Sequence, residues 1–224
     1  MLRKGNYFVV VPVFNEEENI SSFLHDLRKH TDKIVVVNDG STDKTKSILD
    51  RFKNIHVIHQ KENKGKGRAM KTGARKALRL GADGVVFMDG DNQHDPKHLQ
   101  EFFSLLEADA DIVIGVRMIK AKIPFIRRLG NMIFVHLIGL LFNVQIPDIL
   151  CGFRGFSKKG LKSVKWTSEG YGVETEMITI IGRKRLPYNT VVVDTIYLDK
   201  YKGFSVTGGL KILSRLLYWK YQKI

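Results

Sequence analysis

Cysteine is almost missing from this chain: Cys151 stands alone in 224 residues, so no intrachain disulfide can form and a reducing compartment is expected. No apolar run is long enough to cross a bilayer. The longest, Met132 to Val144, covers about 13 residues with His136 inside it, where a span needs roughly 20. The N-terminus starts basic, but its apolar run is short, ends in Asn15-Glu16-Glu17-Glu18 and lacks a small-residue cleavage site, so it reads as a first strand rather than a signal peptide. Acidic residues are scarce relative to basic ones, 23 against 37, for a net charge of +14. They are absent from 117–128, which holds Arg117, Lys120, Lys122, Arg127 and Arg128, and from 200–224, which holds six Lys or Arg. Such an excess points to a polyanionic partner: nucleic acid, an anionic membrane surface or a phosphorylated ligand. No repeat, low-complexity tract or composition break marks a linker, and the length suits a single domain with a real core.

What the chain does contain is an alternation of short β-branched runs and amphipathic stretches. Strands are expected at Tyr7–Val11, Ile34–Val37, Ile55–Ile58, Val85–Met88 and Ile112–Gly115. Between them fall a helix capped by Asn15, one carrying Ile48, Leu49 and Phe52, a small-residue helix opened by the turn Asn63 to Gly67, and one over Pro96–Leu106. This order predicts an α/β fold with a mostly parallel, doubly wound sheet flanked by helices. Further on, Phe125–Phe142 reads as a helix or helix pair, Glu174–Arg183 and a basic amphipathic tail at 209–221 as helices, with short strands at 152–156 and Thr190–Val193.

The strand over Val85–Met88 runs straight into Asp89-Gly90-Asp91-Asn92-Gln93, delivering two carboxylates to the carboxyl edge of the sheet, where open α/β folds bind ligands. Two hard oxygen donors with Gln93 nearby suit Mg2+ or Mn2+, held against a diphosphate. Three other strand ends carry polar segments to the same edge: Pro12 to Glu16, Asn38 to Ser41 and Asn63 to Gly67. Phe14 could stack on a base, Glu16 or Asp39 could accept bonds from base or ribose, and the Gly65-Lys66-Gly67 turn could approach phosphate. His94 reads as a turn residue on the surface and Cys151 as a small packed one.

The segments VPVFNEEENI (11–20), VVNDGSTD (36–43), NKGKGRAM (63–70) and MDGDNQHDP (88–96) resemble, in order, the motifs of family 2 glycosyltransferases with the GT-A fold. IGVR (114–117) and DILCGFRGFS (148–157) resemble the polyprenyl-phosphate sugar transferases among them, especially dolichol-phosphate mannose synthases. The resemblance implies a Rossmann-like single GT-A domain, with a nucleotide-sugar half at about 1–117 and an acceptor and membrane-interface half at about 118–224, ending in amphipathic helices. It implies that Pro12, Phe14, Glu16, Val37, Asp39, Gly65, Lys66, Asp89, Gly90 and Asp91 bind the nucleotide sugar, and that Asp89, Asp91 and Gln93 hold Mg2+ or Mn2+. Asp91 and Arg117 would be catalytic, and Arg117, Arg128 and Lys202 would meet the acceptor phosphate. Gly90 stands where Ala is common and Cys151 where Ser or Thr is. The tail reads Lys202-Gly203-Phe204-Ser205-Val206 in place of Gly-x-Ser-Lys.

The reaction so implied is an inverting displacement at an anomeric carbon. A sugar, mannose from GDP-mannose in the first instance and glucose from UDP-glucose in the second, moves to a polyprenyl (dolichyl) phosphate on the cytoplasmic face of a membrane, with the enzyme attached peripherally. Glu174 and Glu176 read as a base, which would suit a saccharide hydroxyl acceptor, as groups that orient the lipid-phosphate acceptor, or as first-turn acids stabilised by a helix dipole. Arg154 reads as a salt-bridged strand residue or a functional one. Phe125–Phe142 reads as a helix in the headgroup boundary or as a core helix. A tail with Lys211, Arg215, Lys220 and Lys223 beside Trp219 and Tyr221 favours the surface. A nucleic-acid-binding module is the rival class; no nucleic-acid motif is present, and no nucleic-acid partner is expected.

Overall fold

The computed structural model describes residues 5–117 and 125–194 together with 215, 216 and 218–220; the side chains of 125–131 lie outside that description. The elements run β1 (Tyr7–Val13), α1 (Ile20–Leu27), β2 (Ile34–Asn38), α2 (Thr45–Leu49), β3 (His56–His59), α3 (Lys66–Arg79), β4 (Gly84–Phe87), a single 3-10 turn Pro96–His98 leading into α4 (Leu99–Glu107), β5 (Ile112–Arg117), α5 (Phe125–Phe142), β6 (Arg154–Ser157), α6 (Lys158–Ser163), α7 (Val173–Arg183) and β7 (Asn189–Val193). They build one sheet in the order β3-β2-β1-β4-β6-β5-β7, parallel except for β6, which is antiparallel to both β4 and β5.

The inner strands β1, β2 and β4 are buried along their whole length because both faces of the sheet are covered there. Val10, Val35, Val37, Val85, Phe87 and Ile114 point to a layer that includes Met70, Ile138, Phe142 and Met177. Val9, Val11, Val36, Val86 and Val113 point to a layer with Phe23, Leu24, Leu99 and Phe102. Pro12 sits within β1 although it cannot donate to a ladder. It is tolerated because Val10 is the last β1 residue paired with β4, so the missing N–H faces no partner strand.

β6 decides where the site forms. Running against β4, with Phe87 opposite Arg154, it brings its entry segment Cys151-Gly152-Phe153 to the end where β4 releases Asp89. A Cβ on Gly152 would run into the Asp89 carboxylate, so glycine here leaves that carboxylate its place. The second half of the chain therefore inserts into the sheet of the first.

Three local expectations change. Asn15 does not cap α1, which begins beyond it at the turn ending in Asn19. Its φ is +53°, and its Oδ1 accepts from Thr42 N at 2.8 Å, so the side chain serves a cross-loop bond instead. α5 is a helix with two characters: Ile138 and Phe142 are buried in the core, while Met132, Ile133 and Leu140 are exposed. In the tail, Leu216 and Trp219 are buried against the layer holding Val173 and Trp166, so Trp219 is a packing residue here and not a surface anchor. The rest of the tail stripe, with Lys202, lies outside the described residues.

Candidate active site at the carboxyl edge of the sheet

The strand-end loops are tied to one another before any ligand is considered. Asn15 N donates to Ser41 Oγ (3.0 Å), Glu16 N to Thr45 Oγ1 (2.9 Å), and Lys44 N to Glu17 Oε2 (2.8 Å). Asp39, almost fully buried at the end of β2, accepts from Lys64 N (2.9 Å) and Gly65 N (2.7 Å), so its carboxylate shapes the turn that opens α3. Gly65 in that turn has φ +89° and ψ 154°, a region essentially reserved for glycine, and a Cβ there would lie 2.5 Å from Glu169 O. Gly65→Ala should cost about 1–3 kcal/mol in strain alone, before the clash is counted, and denaturant unfolding will read it. The glycines of this turn are thus explained by the backbone of 168–170 pressing on α3. Lys66 is the side chain that the turn delivers to the acids.

Lys66 Nζ lies 2.6 Å from Asp89 Oδ1 and 2.5 Å from Glu174 Oε1, in a pocket that leaves the lysine side chain 14% and Glu174 5% exposed. Burial alone would push the ammonium's pKa down, but the two carboxylates raise it well above the ordinary lysine value. Burial likewise opposes the charge on Asp89, and the Lys66 ammonium, helped by His94 and Arg117, holds its carboxyl below the usual range. Asp91 goes the other way. Burial first, and the negative charge of Asp89 second, lift it to about 6. One lysine therefore does not neutralise the acids gathered at this edge.

Asp91 Oδ1 accepts from Gln93 N at 3.0 Å, closing the tight turn after β4, in which Asn92 takes φ +61°. Gly90 is not there for backbone freedom: a Cβ would come 2.6 Å from Val13 Cγ1, against stiff strand side chains. Among the described residues no group of three or more His, Cys, Asp or Glu side chains could hold a metal by itself. The donors expected from the sequence, Asp89, Asp91 and Gln93, are two carboxylates and an amide. That fits a Mg2+-type ion, which is usually held by one or two carboxylates together with substrate phosphates.

His94 is buried, not on the surface. Its ring packs edge-on to Phe153 with centroids 5.8 Å apart, its Nδ1 has no hydrogen-bond partner among the described residues, and burial pushes its pKa down to about 4. Val37 is fully buried in the core, so its side chain supports the edge rather than reaching it. Phe14 and Glu16 are partly exposed at the edge, Glu16 Oε2 accepting from Asn19 Nδ2 at 2.8 Å.

Arg117, at the end of β5, presents a two-pronged fork to Asp148: Nε to Oδ2 at 2.6 Å and Nη2 to Oδ1 at 3.0 Å. Burial opposes the Asp148 charge, and these bonds hold its pKa below the ordinary value. Asp148 was not singled out by sequence reasoning, although it opens the segment 148–157; the need of Arg117 for a buried carboxylate was the signal available there. Arg154 is also fully buried, but its hydrogen bonds among the described residues go to carbonyls. Its Nε donates to Cys151 O (2.9 Å), Nη1 to Glu174 O (2.7 Å) and Nη2 to Ile149 O (2.7 Å). It pins the entry to β6 and the first turn of α7 to one guanidinium. Glu176 is spent as well, accepting from Thr167 N and Oγ1 (both 2.7 Å) and Ser168 N (2.6 Å). Arg128 is carried on α5 with its side chain outside the described residues, as is Lys202 entirely.

The chain is 30% identical to the UDP-N-acetylglucosamine–dolichyl-phosphate N-acetylglucosaminyltransferase of Methanococcus voltae, over 97% of both chains. It is 32% identical to the dolichyl-phosphate hexose transferase of Haloferax volcanii, over 89% of this chain and 90% of that one. Among solved structures, the glucosyl-3-phosphoglycerate synthase of Mycobacterium tuberculosis with Mn2+, UDP and phosphoglyceric acid shares the fold at a TM-score of 0.77 and 20% identity, covering 98% of this chain and 80% of that one. The same enzyme with Mg2+ and UDP gives 0.76 at 19%, covering 98% of this chain and 81% of that one. The model of "Glycosyl transferase family 2" matches residues 8–165, and the chain belongs to that family as a glycosyltransferase.

Proposed function

We propose that this enzyme transfers a sugar from a nucleoside diphosphate sugar to a dolichyl-type polyprenyl phosphate, with inversion, at a membrane surface. The observation that carries the reading is the strand-end cluster of Asp89, Asp91 and Lys66, with both acceptor-side glutamates already engaged. Glu174 is ion-paired with Lys66, and Glu176 is bonded to the 167–168 backbone and the Thr167 hydroxyl. A saccharide hydroxyl needs a base to take its proton, and neither carboxylate is disposed to do so. A phosphate monoester is already ionised near neutral pH and needs positioning instead. Relatives named for dolichyl phosphate match over nearly the whole chain, which supports the same acceptor.

In this reading Asp89, Asp91 and Gln93 hold a Mg2+ or Mn2+ ion against the donor diphosphate. When bound, the ion supplies charge stabilisation to the leaving nucleoside diphosphate. Phe14, Glu16 and the Asp39 turn shape the nucleoside end. Arg117, oriented by Asp148, faces the phosphates, with Arg128 and Lys202 as further cations on the acceptor side. No helix among the described residues is long and apolar enough to cross a membrane. The exposed apolar face of α5, with Met132, Ile133 and Leu140, gives the enzyme a surface to lay against lipid.

The sugar is the least constrained part. The names of relatives include N-acetylglucosaminyl, hexosyl and mannosyl transfer, while the motif resemblance favours GDP-mannose over UDP-glucose. A thermal-shift panel of GDP-mannose, UDP-glucose and UDP-N-acetylglucosamine with Mn2+ tests donor binding. Saturation at about 100 times Kd should stabilise the fold by about 2.7 kcal/mol, a shift of several degrees at this size. The stabilising donor should then be consumed only when polyprenyl phosphate is added. No shift with any donor would overturn the reading, and transfer to a free saccharide in place of the lipid phosphate would overturn the acceptor.

A further inference from the structure

Lys66 stands in the way of the metal ion. Its ammonium sits on Asp89 Oδ1, the carboxylate assigned to the divalent ion, at 2.6 Å. An ammonium and a divalent cation on one oxygen repel strongly inside a protein, so one must give way. The other side of Lys66 is Glu174, whose own carbonyl is held by Arg154 Nη1 at 2.7 Å, in the first turn of α7. Glu174 is the fixed member of the pair, and Lys66 is a flexible four-carbon stem at the start of α3.

Taking Asp89 and Asp91 as metal ligands, as proposed above, we infer that Glu174 is a positioning residue. It retains the Lys66 ammonium when the divalent ion takes Asp89, and so turns Lys66 from a place-holder on the metal site into a cation aimed at the donor diphosphate. Without Glu174 the ammonium has Asp89 as its close counter-ion among the described residues, and the divalent ion must drive a buried charge off that partner. With Glu174 the exchange leaves every charge paired. Metal affinity in the absence of nucleotide is then set partly by a residue that does not ligate the metal. The lysine, for its part, is already desolvated and oriented when the diphosphate arrives.

Mn2+ titration of the full chain without nucleotide, read by the EPR signal of free Mn2+, tests this with Glu174→Gln, Lys66→Met and the double variant. Glu174→Gln removes a negative charge in any background, so some weakening is general. The inference requires the loss to be at least about fivefold larger with Lys66 present than in Lys66→Met. Lys66→Met alone should tighten Mn2+. Equal losses in both backgrounds would overturn the inference. Asp91→Ala separates the two layers: if it leaves Mn2+ binding unchanged, the metal site itself is misplaced and the inference falls with it. Should Lys66→Met fail to fold by circular dichroism, a crystal structure of the wild type with Mn2+ and UDP decides. Lys66 Nζ bonded to Glu174 Oε1 and away from Asp89 supports the inference; Lys66 still on Asp89 beside the metal overturns it.

Discussion

Asp91→Ala should lower glycosyl transfer at least about a hundredfold while leaving the fold intact, because in the proposed reading the lost carboxylate helps hold the charge-stabilising metal ion and is no part of the apolar core. Asp91 has its neighbours Asp89 and Glu16 against it, and burial already opposes its charge. The site tolerates Asp91 for function at a cost in stability. The folded-state pKa, about 6, lies above the ordinary 3.8, so the group's stabilising contribution is complete below 3.8 and is lost as pH rises to about 6. In metal-free buffer Asp91→Ala lacks that loss. Its stability relative to wild type should therefore climb between about pH 4 and 6, as read by urea unfolding at several pH values. His94 titrates with the opposite sense: its pKa is depressed from 6.5 to about 4, giving stability that fades as pH falls. It is present in both proteins and cancels in the difference. Full transfer activity in Asp91→Ala with Mn2+ would show that the carboxylate has been given the wrong role.

Arg154→Met should destabilise by about 3–5 kcal/mol, enough to unfold a protein at the low end of ordinary stability. Replacing a buried charge by an apolar side chain is often harmless when its partner charge is replaced as well. Here the partners are the carbonyls of Ile149, Cys151 and Glu174, which no substitution at 154 can remove. These carbonyls would lose a buried guanidinium donor, at about 1–3 kcal/mol for each one left without another partner; the Glu174 carbonyl, inside α7, keeps its place in the helix ladder. Arg154→Lys keeps a charge and satisfies part of the set, so it should fall between wild type and Met. Guanidinium unfolding with an unchanged slope would read the loss directly, and a Met variant with the wild-type midpoint would refute the clamp. The same variant should weaken donor binding if it folds, because one of the three carbonyls belongs to Glu174.

Much of the sheet was legible because its signals are local. Val-rich runs mark β1, β2 and β4, and the acids at 89 and 91 follow a strand whose end could be read from composition. α5 matches its expected bounds, Phe125–Phe142. What was not legible depends on partners far away in the chain. Nothing near Asn15 says that Thr42 will claim its oxygen. Nothing near His94 says that β6 will deliver Phe153 onto its ring and bury it. Arg154 looks like any strand arginine until the carbonyls of 149, 151 and 174 converge on it. Asp148 and Arg117 both lay in recognised segments, yet their pairing needs β5 and the approach to β6 to be side by side. The direction of β6 is the deepest of these gaps, since a short strand carries no mark of parallel or antiparallel pairing.

That direction also fixes a schedule for the growing chain. After β4 has been synthesised, its outer edge stays open until Arg154–Ser157 emerges and slots beside it. The chain must cross α5 before closing that gap, so pairing is non-local and comparatively slow. During that interval an unpaired, all-apolar edge is exposed to neighbouring chains. The acids that follow β4 have no Lys66–Glu174 bridge until α7 arrives as well. A nascent chain halted before residue 174 holds Asp89 and Asp91 without their full setting. Catalytic competence is thus a late event in this enzyme's biogenesis, and chains truncated between β4 and α7 are the ones chaperones should bind most.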